Sequence, residues 1–384
     1  IQNTTNFDMS RKWDNIFSGL NIAMGTEFRV ENYQITAGAA NSWATYDENL
    51  QIVNPATPAD VRVSDFFGRS RPGGAQVFPG FRPENELNEF RNSFALYLDA
   101  EADLTEDFLV SFATRHENYS DFGTTTNFKL ASRLRAGENF SIRGAAATGF
   151  RAPSLHQIFF NSTSTLFVDG IPFEVGTFSN TSRIARILGI PELKEETSVS
   201  YSLGFTSRIP QSNLSITVDA YQVDIDDRVI LTGQFAPGGN AELGTLFAQA
   251  SAERATFFAN AIDTRTTGID LVISHQARFS NGVNLTTDLA VTVSQTRQQG
   301  EIKASPQLES IKSTYFDETS RIFLEEAVPT EKVNLTFNLS GNKLSVFLRN
   351  VYFGSVLEAT NNPDNQQVFP GKVITDLGLG YKLM

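Results

Sequence analysis

Residues 94–112 read Phe94-Ala95-Leu96-Tyr97-Leu98-Asp99-Ala100-Glu101-Ala102-Asp103, then Leu104-Thr105-Glu106-Asp107, then Phe108-Leu109-Val110-Ser111-Phe112. In the first run Phe94, Leu96, Leu98, Ala100 and Ala102 alternate with Tyr97, Asp99, Glu101 and Asp103. Strand side chains leave alternate sides of the backbone, so this run has one apolar and one charged face. Thr105-Glu106-Asp107 is a short polar turn, after which Phe108, Val110 and Phe112 stand against Ser111, Arg115 and Glu117. Two amphipathic strands joined this tightly make an antiparallel hairpin.

The same pattern extends in both directions. Upstream, Leu20, Ile22, Met24, Thr26, Phe28 and Val30 oppose Asn21, Glu27, Arg29 and Glu31. Downstream, Phe128, Leu130 and Leu134 oppose Lys129, Arg133 and Arg135, and Phe140, Ile142, Gly144 and Ala146 oppose Ser141, Arg143 and Arg151. Further alternating runs centre on Tyr201-Leu203, Ile216, Leu271, Leu289, Leu335-Phe337, Val346 and Leu377. This gives an all-β, antiparallel chain of twelve strands, with a thirteenth, a stub, at Thr5-Phe7-Met9. Short turns are expected at 105–107, 137–139, 210–213, 280–282 and 340–342. Long connections are expected at 36–90, 118–126, 152–196, 229–262, 297–330 and 354–371. Short and long alternate, which is the layout of a transmembrane β-barrel with turns on the periplasmic rim and loops outside. Most strands reach the 9–11 residues that span a bilayer when tilted. Phe94, Phe108, Phe128, Phe140 and Tyr119 sit at strand ends, where interfacial girdles belong. Asp99, Glu101, Arg133 and Arg143 are the expected lumen-facing structural charges. A solvated face of a soluble antiparallel sheet has the same alternation. The loop lengths favour the barrel.

Composition removes several functions. With 31 Lys and Arg against 43 Asp and Glu, the net charge of −12 disfavours a nucleic-acid partner. The absence of cysteine removes disulfides and thiolate chemistry. His116, His156 and His275 have no second histidine nearby, so neither a metal site nor a cofactor is expected. No apolar run approaches the length of a membrane helix. The chain opens Ile1-Gln2-Asn3 with neither Met nor a signal peptide, and so reads as a mature piece or an excised fragment.

Several segments carry a family resemblance. Gly149-Phe150-Arg151-Ala152-Pro153-Ser154-Leu155 closely resembles a segment recurring in the barrels of TonB-dependent outer-membrane receptors. Leu193-Lys194-Glu195-Glu196-Thr197-Ser198 with Tyr201-Ser202-Leu203-Gly204-Phe205 is similar to another, departing at Glu195 and Ser202 from the usual Pro and Glu. Tyr221 through Asp224-Ile225-Asp226-Asp227-Arg228, and Thr267-Gly268-Ile269-Asp270, resemble two more. Arg349-Asn350-Val351-Tyr352-Phe353-Gly354 and Val373-Ile374-Thr375-Asp376-Leu377 resemble late-barrel strands in the form common in Bacteroidetes-type receptors. The matches run in family order over most of residues 90–384.

The resemblance implies a receptor of the bacterial cell outer membrane, held in outer-membrane lipid. It implies uptake of a scarce large nutrient, most often a ferric siderophore or similar iron chelate, energised through TonB. Family members carry an N-terminal plug and close with further strands. Neither is visible here, so residues 1–384 read as a partial barrel domain cut at both ends. Gly149, Phe150, Arg151 and Pro153 are the family-motif residues, and of these Arg151 and Pro153 are expected to shape an extracellular strand end. Loop residues Arg69, Arg71, Arg82, His156, Phe159, Phe160 and Phe167 offer charge and ring faces to an anionic, aromatic-bearing chelate, although ordinary loop packing accounts for them too. No catalytic residue is expected: Asp224, Asp226 and Asp227 read as a strand end, and Ser154 lacks a Gly-x-Ser-x-Gly context. Leu308, Ile311, Tyr315 and Ile322, and separately Ile184, Ile187 and Leu188, have helical spacing inside long loops. The rival readings are a passive porin and a soluble β-rich adhesion or glycan-binding module.

Overall fold

The computed structural model describes residues 1–383 except 55, 65, 67, 69–72, 75–78, 169–170, 251 and 281, and at 167–168 and 171–172 the backbone alone. The chain begins with β1 (Gln2–Trp13), β2 (Gly19–Ile35), β3 (Leu87–Asp103), β4 (Phe108–Tyr119), β5 (Gly123–Arg135) and β6 (Phe140–Arg151). A helical turn, α1 (Leu155–Phe159), leads to the hairpin β7 (Ser162–Val168) and β8 (Ile171–Thr177), then α2 (Arg183–Leu188). Next come β9 (Glu196–Ile209), β10 (Leu214–Leu231), α3 (Ala241–Gln249), β11 (Arg254–Thr256), β12 (Phe258–Arg278) and β13 (Asn284–Gln299). Helix α4 (Glu318–Glu325) precedes β14 (Glu331–Ser340), β15 (Leu344–Phe353), β16 (Val356–Leu357), β17 (Val368–Phe369) and β18 (Lys372–Tyr381). Thirteen strands form one antiparallel meander in the order β1-β2-β3-β4-β5-β6-β9-β10-β12-β13-β14-β15-β18. The remaining strands belong to two small sheets, β11-β8-β7 and β16-β17.

All twelve strands expected from alternation are present, and the stub is a full twelve-residue strand. Its weak signal has a physical cause. Only Phe7, Met9 and Trp13 on one face are large and apolar, while Asn6, Asp8, Ser10 and Lys12 take the other. Two expectations are corrected. Residues 118–126 are no long loop: the β4–β5 ladder runs unbroken from Phe108↔Leu134 to Tyr119↔Gly123, leaving a three-residue turn. The Asn118 and Thr124–Thr126 polar stretch looks like a loop, yet β-branched threonines fit a strand, and the ring of His116 bonds Thr126 Oγ1 at 2.8 Å. Gly123 closes the turn at φ +97°. Tyr119 is no girdle residue either. It is 8% exposed, turned to the polar face and stacked on Phe122 at 4.5 Å.

The apolar face of the large sheet is the exposed one. Phe94, Leu96 and Leu98 of β3, Phe128 and Leu130 of β5, and Leu377 and Leu379 of β18 remain between 39% and 73% exposed. No second layer covers them, which fits a sheet whose solvent is hydrocarbon. The buried core lies elsewhere, in three long loops on one rim. Ile184, Ala185, Leu188 and Ile190 of loop 152–195 pack with Phe235, Leu243, Phe247 and Phe257 of loop 232–257. Leu308, Tyr315 and Phe316 of loop 300–330 join the cluster, which also takes in Ala259, Ala261 and Ile262 at the start of β12. The helical spacings expected at 184–188 and 307–327 fall in α2 and in a 3-10 stretch followed by α4.

Candidate functional site

The polar face and the loop crown are the two surfaces that can meet a solute. Along the polar face, register aligns Asp99 with Ala113 and Lys129, and Glu101 with Ser111. Arg133 lies directly opposite Arg143. Among the described residues Asp99, Glu101 and Arg133 make no ion pair, whereas Arg143 donates to Thr206 Oγ1 at 2.9 Å and pairs with Asp219. That pair spans two strand spacings, from β6 over β9 to β10, and the residue beneath it is Gly204. A Cβ at Gly204 would overlap the Asp219 carboxylate and approach the Val218 carbonyl oxygen to 2.6 Å. Gly25 lies the same way under Tyr97, whose hydroxyl donates to Asp8 at 2.6 Å, and Gly268 lies under the Tyr221 ring. Glycines in these strands therefore make room for side chains that reach across them. Gly204→Ala should separate Arg143 from Asp219 and cost about 1–3 kcal/mol through overpacking. A lowered unfolding midpoint in detergent for Gly204→Ala, against an unchanged one for Gly144→Ala, is the check; equal behaviour of the two refutes it.

Toward the loop rim the charges interlock. Arg151 donates to both oxygens of Glu196, its Nε at 2.7 Å, and Glu196 also accepts the Val229 backbone N–H at 2.6 Å. Arg91, 4% exposed, donates to Glu31 at 2.8 Å and to the Pro153 carbonyl at 2.6 Å, with its guanidinium 5.4 Å from the Tyr119 ring centre. Glu27 holds Arg29 at 2.5 Å and Arg115 at 3.3 Å, and Arg115 also pairs with Glu117. Arg29, Glu31, Arg91, Arg115, Glu117 and Arg151, with Tyr119 and Phe150, line a cavity of about 450 Å³. Pro153 is fully buried, Phe150 packs edge-on to Tyr119, and a Cβ at Gly149 would press Ser198 Oγ at 2.8 Å. Sequence reasoning missed Arg91 because it falls between the expected connection, 36–90, and the alternating run that begins at Phe94, whereas β3 already starts at Leu87. The strand's charged alternation, Glu89-Arg91, was the available signal.

In the crown, Ser154 caps α1 by accepting the Gln157 N–H at 3.1 Å. His156 stacks on Phe160 at 4.7 Å and meets Tyr33 and Phe258 edge-on at 5.7 and 5.8 Å. Phe160 in turn meets Phe81 at 6.1 Å, and Asn161 accepts from Asn85 at 2.5 Å. Arg82 precedes that contact, its N–H donating to Asn85 at 2.9 Å, so Arg82, His156 and Phe160 belong to one neighbourhood, with Phe159 half-buried on α1. Arg69 and Arg71, and the side chain of Phe167, lie outside the described residues. Loss of water around the imidazole pulls His156 below its ordinary value. A depressed histidine contributes stability that is present above about pH 6.5 and is lost as pH falls toward the folded value. Acidification from pH 7.5 to 5.5 should therefore loosen α1, and His156→Phe should abolish that dependence. Amide protection factors of residues 155–160, taken relative to the intrinsic exchange rate at each pH, measure both, and pH-independent protection in the native protein contradicts it.

Ion pairs fasten the crown to the rim. Lys303 of loop 300–330 reaches Asp227 at 2.8 Å and Asp263 at 2.5 Å, while Lys194 holds the other Asp227 oxygen at 2.7 Å. Asp227 sits at a bulge in β10 with φ +55°. No His/Asp/Glu group among the described residues has metal-holding geometry.

Comparison with known proteins agrees with this architecture. The profile of the family described as TonB dependent receptor-like, beta-barrel matches residues 1–384. No curated protein matches in sequence. Among solved structures, the siderophore receptor PirA from Acinetobacter baumannii is similar at TM-score 0.61 and 12% identity, over 100% of this chain and 48% of its own. A ferric enterobactin receptor mutant (PfeA) from Pseudomonas aeruginosa, in complex with enterobactin, is similar at TM-score 0.62 and 13% identity, over 100% and 47%. The chain thus spans about half the length of these structures, and at such identity the likeness is one of fold. Thirteen paired strands, an apolar belt without a covering layer, and a family match over the whole sequence lead to one assignment: this chain belongs to the TonB-dependent receptor-like β-barrel family and is an outer-membrane protein.

Proposed function

We propose that the chain is the barrel section of a longer receptor that imports a scarce nutrient, a ferric siderophore or similar iron chelate, with energy delivered through TonB. The observation that carries this reading is the crown. Three long loops share a packed apolar core with helices of their own. A passive pore has no need to organise about half of its loop rim in this way. In this reading Arg82, His156, Phe159 and Phe160, with Arg69 and Arg71, meet the chelate. Asp99, Glu101, Arg133 and Arg143 line the lumen against the plug. Family and fold are those of transport receptors. The test is uptake of an iron-55-labelled ferric chelate by a Gram-negative strain lacking its own receptors and carrying the full-length gene. Uptake that disappears when TonB is deleted supports the proposal. Uptake that persists without TonB establishes a porin, and absence of uptake for every catecholate, hydroxamate and haem probe excludes the iron-chelate class.

A further inference from the structure

On β13 the apolar face runs Leu289, Val291, Val293 and then changes abruptly to Gln295 and Arg297. The neighbouring β12 changes at the same level, since Val293 pairs with Ile269, Gln295 with Thr267 and Arg297 with Arg265. The hydrocarbon belt therefore ends between Val293 and Gln295, and the residues above it stand at headgroup depth on the outside of the barrel. A groove of about 640 Å³ opens there between the end of β13, α4 and the β16–β17 hairpin. Its apolar wall is Val328, Val356, Leu357 and Val368, with Val328 and Val368 left 64% and 63% exposed. The hairpin stands two residues beyond the end of β15 and two before the start of β18, and so rises next above the lipid-facing pair Tyr352 and Val373.

The charges of the groove are nearly all accounted for. Arg321 is held by Glu318 at 2.7 Å, Glu325 at 3.2 Å and Glu326 at 2.6 Å, and Glu325 also accepts the Gln298 N–H at 2.8 Å. Arg265 is paired with Asp224 at 2.5 Å. Arg297 makes no ion pair among the described residues and lies directly opposite another guanidinium, an arrangement unfavourable on a sheet unless an anion intervenes. One open cation beside an apolar wall, both continuous with the membrane face, suits an amphiphile that is anionic at its head.

We propose that this groove holds a phosphorylated lipid of the outer leaflet, its acyl chain against Val328, Val356, Leu357 and Val368 and its phosphate on Arg297. The site is independent of which nutrient the receptor carries. It is tested on the full-length receptor, stripped of lipid in mild detergent, by native mass spectrometry with three probes: dioleoyl phosphatidylglycerol, dioleoylglycerol and inorganic phosphate. The expected result is a retained phosphatidylglycerol adduct, with dioleoylglycerol bound about tenfold more weakly and phosphate alone not bound, as fits loss of one charge-assisted hydrogen bond. Arg297→Gln should weaken the adduct about tenfold, Arg297→Lys should largely keep it, and Val368→Asp should remove it. Both positions are exposed, and an unchanged unfolding midpoint shows that the fold survives. Equal binding of dioleoylglycerol and phosphatidylglycerol, capture of free phosphate by wild type, or indifference of the adduct to Arg297→Gln and Val368→Asp each overturns the proposal.

Discussion

Phe257→Ala should unfold the extracellular crown as a single body while leaving the strands beneath it intact. Phe257 is fully buried, with Phe178 and Phe235 each 6.2 Å away ring to ring. Removing such a ring from a core costs about 3–5 kcal/mol in transfer and cavity terms. A cluster this small has little more than that to lose, because a few loop segments bury far less apolar surface than a whole domain. The loss is shared, since the loops interlock through more than apolar contact. Ser305 donates to the Leu188 carbonyl at 3.1 Å, and Gly233 N–H to the Thr314 carbonyl at 2.8 Å. Asn180 donates to the carbonyls of Pro191 at 2.7 Å and Phe258 at 2.9 Å. Hydrogen exchange of the full-length protein is the measurement. Amides of 180–190, 241–249 and 306–325 should accelerate together in Phe257→Ala, with 108–119 unchanged. Acceleration confined to 232–257 would mean that the loops are independent and the shared core is incidental.

The barrel was legible in the sequence because a period of two survives wherever one face must be apolar and the other polar. It failed in instructive places. In β1 the apolar side carries Asn3 and Thr5 before Phe7, so the alternation is dilute. At Thr124–Thr126 composition suggested a loop where β-branched residues continue a ladder. The crown was less legible. Helical spacing exposed α2 and α4; α3 carries the same spacing at Leu243, Leu246 and Phe247, yet its Gly-Gly-Asn approach reads as a turn, and the β7–β8 hairpin has no such period. Nor did spacing reveal which loops touch, for Ile184, Phe257 and Tyr315 lie far apart in sequence and meet only because their strands are neighbours on the rim. The glycines show the reverse case. Gly204 and Gly268 stood out through resemblance alone, and their reason is spatial: Arg143–Asp219 and Tyr221 occupy the volume a Cβ would take.

Three of the segments that carry the family resemblance converge on one carboxylate, which makes Arg151→Ala the second large expected effect. Glu196, 5% exposed, receives a forked pair of hydrogen bonds from Arg151, a third from the Val229 N–H, and the electrostatic attraction of Arg228. The fork requires a planar guanidinium, so lysine is no substitute. Removing Arg151, itself half-exposed, takes the charge-assisted fork from a buried carboxylate that keeps Val229 and Arg228, and should cost about 2–3 kcal/mol. Glu196→Gln should be milder, about 1–2 kcal/mol, because the amide oxygen still accepts from Val229 and one Arg151 nitrogen, while the charge and the acceptor for Arg151 Nε are lost. The decisive comparison is Arg151→Ala made in each background. If the pair is the real link between β6 and β9 at the rim, the arginine's cost falls below about 1 kcal/mol once residue 196 is glutamine, a coupling typical of residues in direct contact. Urea unfolding in detergent supplies the four free energies. Equal cost in both backgrounds would show that Arg151 acts through its apolar stem and not through its charge, and the convergence of the segments would then reflect shape alone.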